Sequence, residues 1–194
     1  MSDPTPTPTP AKRNKENIIL GSGDLYFAEF TGTLPTEATI CVDANKVGAI
    51  QGGASIEYKP TFYTAKDDSG KLTKTIITDE EATFKSGLMS KIGSMLSKIC
   101  STATETTDTT KRTVKIGGIG NYDGKSYVWC FHHTDEKDGD IWVMIVGKNT
   151  SGFTLSFTKD KETICDMEIK CEPQDDDGTL IKYIEEIAAA SSSD

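Results

Sequence analysis

The sequence predicts a mainly β protein. The expected architecture is a β-sandwich or partly open barrel, with one flanking α-helix at about 87–100 and a long projecting β-hairpin arm at about 59–76. Three observations carry this expectation. Most apolar residues in the body of the chain recur with period two, the period of side chains on a strand. Turn signals rich in Asp, Asn and Gly separate those runs. One segment switches to the helical period.

In DLYFAEF, Leu25, Phe27 and Glu29 share one face, with Tyr26, Ala28 and Phe30 on the other. ASIEY groups Ala54, Ile56 and Tyr58 opposite Glu57. EATFK turns Ala82 and Phe84 inward and Glu81, Thr83 and Lys85 outward. In SYVWCF, Tyr127, Trp129 and Phe131 oppose Ser126, Val128 and Cys130. IWVMIV is apolar throughout, which predicts a strand covered on both faces. FTLSFT alternates through Phe153, Leu155 and Phe157, and CDMEIKC through Cys165, Met167, Ile169 and Cys171. From Ser86 to Cys100 the pattern changes: Leu88, Ile92, Met95, Leu96 and Ile99 form one stripe of an amphipathic helix, which must pack on a sheet to be stable. Gly93 weakens that helix by roughly 1 kcal/mol relative to Ala. The Thr-rich STATETTDTTKR reads as a loop that ends it.

Residues 1–17 hold a Thr-Pro alternation followed by polar residues and read as a flexible tail, because proline donates no backbone hydrogen bond and the segment has nothing to bury. Residues 188–194 read as a frayed end. A single domain over 18–187 is expected between them.

The chain carries a formal net charge of −9. Residues 1–17 contribute +1 (Lys12, Arg13 and Lys15 against Asp3 and Glu16), which leaves −10 for the rest. Such a body argues against a protein that grips nucleic acid through its phosphates. The five cysteines include no CxxC and follow no secretory segment, so they read as reduced, mostly buried thiols. No apolar run approaches the roughly 18 residues of a membrane span, and no membrane anchoring is expected.

Several motifs nearly fit and fail. GGIGNYDGKS aligned on GxxxxGKS puts Ile119 where the first glycine is required, and a strand rather than a helix follows. GxGxxG from Gly118 ends on Asp123. His132 and His133, near Asp135, Asp138 and Asp140, suggest a metal, but neighbours on a strand point to opposite faces. Calcium-loop alignments on Gly139 and Gly178 place Ile145 and Ile184 at the bidentate position. Glu80 and Glu81 face apart and make a poor acid–base pair. No catalytic constellation, metal site or cofactor emerges.

NIILGSGDLYFAEF, the segment ASIEYKPTFYTAKDDSGKLTKTIITDEEATFK, the single helix and the closing DGTLIKYIEEI, in that order, resemble a bacteriophage major tail protein, the tail tube subunit, over roughly residues 17–187. The Pro-rich start and the Thr-rich loop lie outside the resemblance. It implies a virion structural protein, assembled in the bacterial host cytoplasm, whose copies form stacked rings, commonly hexameric, around a channel for double-stranded DNA. The implied partners are further copies of the chain, a tape-measure protein, and tail-completion or baseplate proteins. In that family the inner sheets join edge to edge, and the arm reaches the neighbouring ring.

The residues of the arm suit such a role. With little to bury, it cannot offset an ordering cost of roughly 1–2 kcal/mol per backbone residue, and it is expected to order against a partner. Tyr58, Phe62, Tyr63, Leu72 and Ile76 are the expected anchors; Lys66, Asp67, Asp68, Lys71 and Lys74 are expected to set register through charge. Glu57 and Glu81, with Thr83, are first candidates to face the channel, and Asp166 and Glu168 are second. A soluble monomer or a slow polymer that needs a nucleus is expected. Two other readings stay open: the tube of a contractile tail or phage-like bacteriocin, and an adhesive or carbohydrate-binding β-sandwich with a platform of Tyr122, Tyr127 and Trp129.

Overall fold

A computed structural model describes residues 22–48, 50–89, 92–135, 139–155, 157, 159–160 and 162–187. The expected tail at 1–17 and frayed end at 188–194 lie outside these residues.

Eight strands form one sheet. Strand β1 (Asp24–Glu29) is followed by a short helix α1 (Glu37–Ile40), then β2 (Lys46–Gly48) and the long pair β3 (Ile50–Lys66) and β4 (Thr73–Leu88). Helix α2 (Ile92–Ile99) leads into a small hairpin, β5 (Thr104–Thr107) and β6 (Arg112–Lys115). The chain ends through β7 (Tyr127–His133), β8 (Ile141–Asn149), β9 (Cys165–Glu172) and β10 (Ile181–Glu185). The sheet order is β2-β1-β7-β8-β9-β4-β3, with β10 paired to β8 and every pairing antiparallel.

The two ends of that path, β2 and β3, are one residue apart in the chain. The sheet therefore curls until its edges become sequence neighbours, without closing into a barrel. Its inner face encloses Leu25, Phe27, Val47, Phe84, Leu88, Trp129, Ile145, Met167 and Ile169, and α2 adds Met95 and Ile99. Phe27 anchors this core: it stacks on Tyr127 at 4.6 Å and meets Trp129 edge-on at 4.7 Å. The outer face of the central strands holds a second cluster of Tyr26, Val128, Cys130, Met144 and Val146 beneath Ile40 of α1. Strand β8 is thus covered on both faces, as its unbroken apolar run predicts. Strand β9 buries Cys165, Met167, Ile169 and Cys171 in strict alternation, also as predicted.

One edge of β8 serves two strands. Val146 to Asn149 pair with β9, and Ile141 to Ile145 with β10, so Glu172 and Ile181 face adjacent residues of β8. The eight residues between them leave the line of the sheet and return through a turn in which Asp175 Oδ1 accepts from the Thr179 amide at 2.9 Å and Gly178 has φ +80°.

Three expectations need correction. The helix begins at Ile92, not near 87, and Leu88 is the last rung of β4, paired with both Ile50 and Cys165. Ladders on both edges hold that segment extended, and a Cβ at Gly87 would stand 3.0 Å from the Gln51 carbonyl oxygen. Of the predicted stripe, Met95 and Ile99 are buried and Leu96 packs at the edge of the core; the Ile92 side chain lies outside the described residues. Among the described residues FTLSFT forms no strand but the single Leu155–Cys165 bridge, beyond the stretch of β9 that pairs with β8, and Phe157 is 81% exposed. The Thr-rich loop is the β5–β6 hairpin, tied to α2 where Ser97 donates to Glu105 at 2.6 Å. Ile56 and Tyr58 share a face with Ala54, as the sequence predicts, and are 38% and 48% exposed: β3 is an edge strand, whereas their partners Phe84 and Ala82 lie on the covered β4.

Candidate functional site

The arm is longer than the sequence suggested. Strand β4 contacts β9 only from Thr83 to Leu88, whereas β3 and β4 stay paired out to Lys66 and Thr73. Beyond Tyr58 and Ala82 the hairpin therefore has no third strand among the described residues. Lys59 to Lys66 extends about 25 Å at the usual rise of a strand. An isolated two-stranded ribbon of this kind is marginally stable in water.

Its tip is a built turn. Asp67 receives the Gly70 amide on its carbonyl at 2.9 Å and the Leu72 amide on Oδ1 at 2.7 Å, while Ser69 Oγ donates to Oδ2. Gly70 takes φ +66°, where a side chain is disfavoured. These bonds hold the Asp67 carboxyl below its ordinary range, the Ser69 hydroxyl contributing most. Asp67 is thus a turn-former. Lys66, Asp68, Lys71 and Lys74 are exposed and form no ion pair among the described residues.

Register divides the predicted anchors between two faces. Paired residues share a face, so Ile56, Tyr58 and Phe62 stand with Phe84, Ala82 and Ile77. This stripe continues the inner core outward, and it emerges into solvent: Phe62 is 57% and Ile77 51% exposed. Tyr63 and Ile76 form a cross-strand pair on the opposite face, and Leu72 is exposed at the tip. Thr78 is the extra residue of a bulge between the Thr61–Asp79 and Phe62–Ile77 pairs, and its hydroxyl bonds the Thr61 carbonyl at 3.2 Å. The bulge is why Ile77 shares a face with Ala82 and Phe84, from which it is separated by an odd number of positions, and leaves Ile76 on the other face. Ile77 and Ile56 belong to the exposed apolar set although sequence reasoning did not name them as anchors. The doublet Ile76-Ile77, which breaks alternation, was the available signal for Ile77.

The face opposite the core gathers all four acidic candidates. Glu57, Glu81, Asp166, Glu168 and Thr83 lie together across β3, β4 and β9 by register. Lysines lie among them. Lys59 meets Glu57 at 2.8 Å, Lys85 meets Glu168 at 3.0 Å, and Lys170 meets Glu81 at 3.2 Å. Lys59 holds the Glu57 carboxyl below its usual range by hydrogen bond and charge. Four carboxylates against three ammonium groups leave this patch close to neutral. Exposed pairs of this kind contribute about 0–1 kcal/mol each.

Three strands of the sheet keep an open edge: β2 pairs with β1 alone, β3 with β4 alone and β10 with β8 alone among the described strands. Open edges are templates for addition of another chain.

The predicted aromatic platform does not form. Trp129 is 1% exposed and donates its indole N–H to the Gly147 carbonyl, and Tyr127 is half-buried, its hydroxyl bound to Asp123 at 2.5 Å. Only Tyr122 of the three is open to solvent. His132 and His133 point to opposite faces, as strand geometry requires. His132 bonds Asp140 at 2.7 Å, and His133 Nδ1–H donates to the Ser22 carbonyl at 2.8 Å.

No protein-family model matches the chain, and no curated protein matches it in sequence. Among solved structures, it is similar to a chain of the "Virion of native gene transfer agent (GTA) particle", with a TM-score of 0.40 and 8% identity over 83% of this chain and 95% of that one. Likeness at that level fixes neither fold nor function.

Proposed function

We propose that the chain is a virion structural protein of a phage-like particle, and specifically a tail tube subunit that assembles into stacked rings, six copies to a ring. The observation that carries this reading is the arm: a hairpin about 25 Å long with exposed apolar side chains on both faces and unpaired charges at its tip. Exposed apolar stripes of this kind mark surfaces that another chain covers. A second copy of the same molecule is the occupant proposed, with the open edges of β3 and β10 completing the ring. Tape-measure and tail-completion or baseplate proteins would cap the tube.

In this reading the patch around Glu57, Glu81, Asp166 and Glu168 lines the channel. Its near-balance of charge gives duplex DNA little to grip, since binding by counterion release needs uncompensated cations. The Glu57→Lys, Glu81→Lys double variant tests that placement: genome ejection slows if these residues line the channel and is unaffected if they do not.

Negative-stain microscopy of concentrated protein tests assembly itself. Tubes or stacked rings are the expected result, formed slowly or after seeding. Fast unseeded polymerisation at low concentration contradicts the expected need for a nucleus. Dispersed monomers under seeded and concentrated conditions, with a well-ordered arm, overturn the tube reading.

A further inference from the structure

Cys41 lies at the C-terminal end of α1 and Cys130 in the middle of β7, 89 residues apart in sequence. Their Sγ atoms are 3.8 Å apart. Cys130 is fully buried and Cys41 half-buried. Between them they span the outer apolar cluster, in which Ile40 of α1 covers Val128, Met144 and Val146. The cover is thin: α1 has four residues, and Thr36 at its start makes no side-chain capping bond.

We propose that Cys41 and Cys130 are a modification site: on exposure to a low-molecular-weight disulfide they form an intrachain bond that clips α1 to the central strand. A disulfide requires about 2.05 Å between sulfurs, so the pair must close by roughly 1.8 Å. The Cys41 thiolate, the more accessible of the two, attacks one sulfur of the reagent and expels one thiolate, which takes up a proton. Cys41 then carries a mixed disulfide. The Cys130 thiolate attacks the Cys41 sulfur and expels the second reagent thiol. The protein loses two protons and two electrons, and the reagent disulfide is reduced to two thiols. Burial disfavours both thiolates, so the exchange is slow. The site stands independently of the reading of function above.

Incubating the full-length protein with oxidised glutathione, then alkylating and digesting without reduction, tests the proposal. The expected product is a cross-linked peptide pair containing Cys41 and Cys130. The thermal midpoint is expected to rise by roughly 5–15 °C, because the bond closes a long loop in the unfolded chain. Cys41→Ser, a change at the half-buried position, abolishes both effects. A glutathione adduct that persists on Cys41, thiols left unmodified, or a Cys100–Cys165 linkage instead each overturn the assignment. A Cys41–Cys130 linkage with an unmoved midpoint overturns the clip.

Discussion

Replacing both Phe62 and Ile77 by Ser separates assembly from folding. Phe62 is 57% and Ile77 51% exposed in the subunit, so most of what they can bury is left for a partner. An aromatic side chain offers about 200 Å², so the exposed part of Phe62 is about 110 Å², equivalent to about 3 kcal/mol at 25 cal/mol per Å². Half of a fully buried Ile adds about 1 kcal/mol. The pair therefore contributes about 4 kcal/mol to each arm contact, or roughly a thousandfold in the concentration at which copies associate. The isolated subunit loses only the smaller, already covered share. Light scattering across a concentration series reads the assembly threshold, and thermal unfolding of the monomer reads the fold. The expected outcome is a threshold raised by orders of magnitude with a midpoint lowered by only a few degrees. If the threshold is unchanged, or the midpoint falls as far as for a core truncation, the arm is not the docking element.

A core truncation supplies that comparison: Trp129→Ala removes a 1%-exposed side chain from the centre of the inner cluster and is expected to cost about 3–5 kcal/mol in denaturant unfolding. Asp67→Ala is expected to release the Leu72 amide and broaden the tip resonances in NMR spectra while leaving the midpoint unchanged. Acidification acts in the same direction: the Asp67 carboxyl is depressed in the folded arm, so its contribution is complete above the ordinary value of 3.8 and disappears as the pH falls through the folded-state value. On the alkaline side, burial pushes the Cys165 and Cys171 thiols up to about 11, so stability they confer is intact below pH 9 and is lost between 9 and about 11. Thiol-specific labelling of the native protein at mildly alkaline pH is expected to reach the half-buried Cys41 and Cys100 well before Cys130, Cys165 and Cys171.

Composition and period were enough to assign the strands that bury one face against a neighbour. Cys165 to Cys171 and Glu81 to Lys85 alternate in the structure as they do in the sequence, because on a strand with pairs on both edges the side-chain period alone decides what is inside. The turns at Asp67 and Asp175 were equally legible, since an aspartate that bonds the backbone ahead of it and a glycine with positive φ are local chemistry. The arm itself could be read because two strand-like runs flank an Asp-Asp-Ser-Gly turn signal.

Only the tertiary structure decided the rest. Leu88 fits a helical stripe as well as a strand, and two flanking ladders, which no local pattern encodes, made it a strand. Phe153 to Phe157 alternate correctly, yet Leu155 meets β9 in a single bridge at Cys165, outside the ladder that β9 makes with β8. Of the lysines that balance the acidic patch, Lys59 meets Glu57 on its own strand, whereas Lys85 and Lys170 meet Glu168 and Glu81 only through the register of β4 and β9. The sequence by itself settled the mainly β class, the turns and the hairpin arm, because these follow from side-chain period and backbone conformation. Which edges stay open, which apolar residues remain exposed and which charges pair depend on contacts between residues distant in the chain, and those exist only once the sheet has curled.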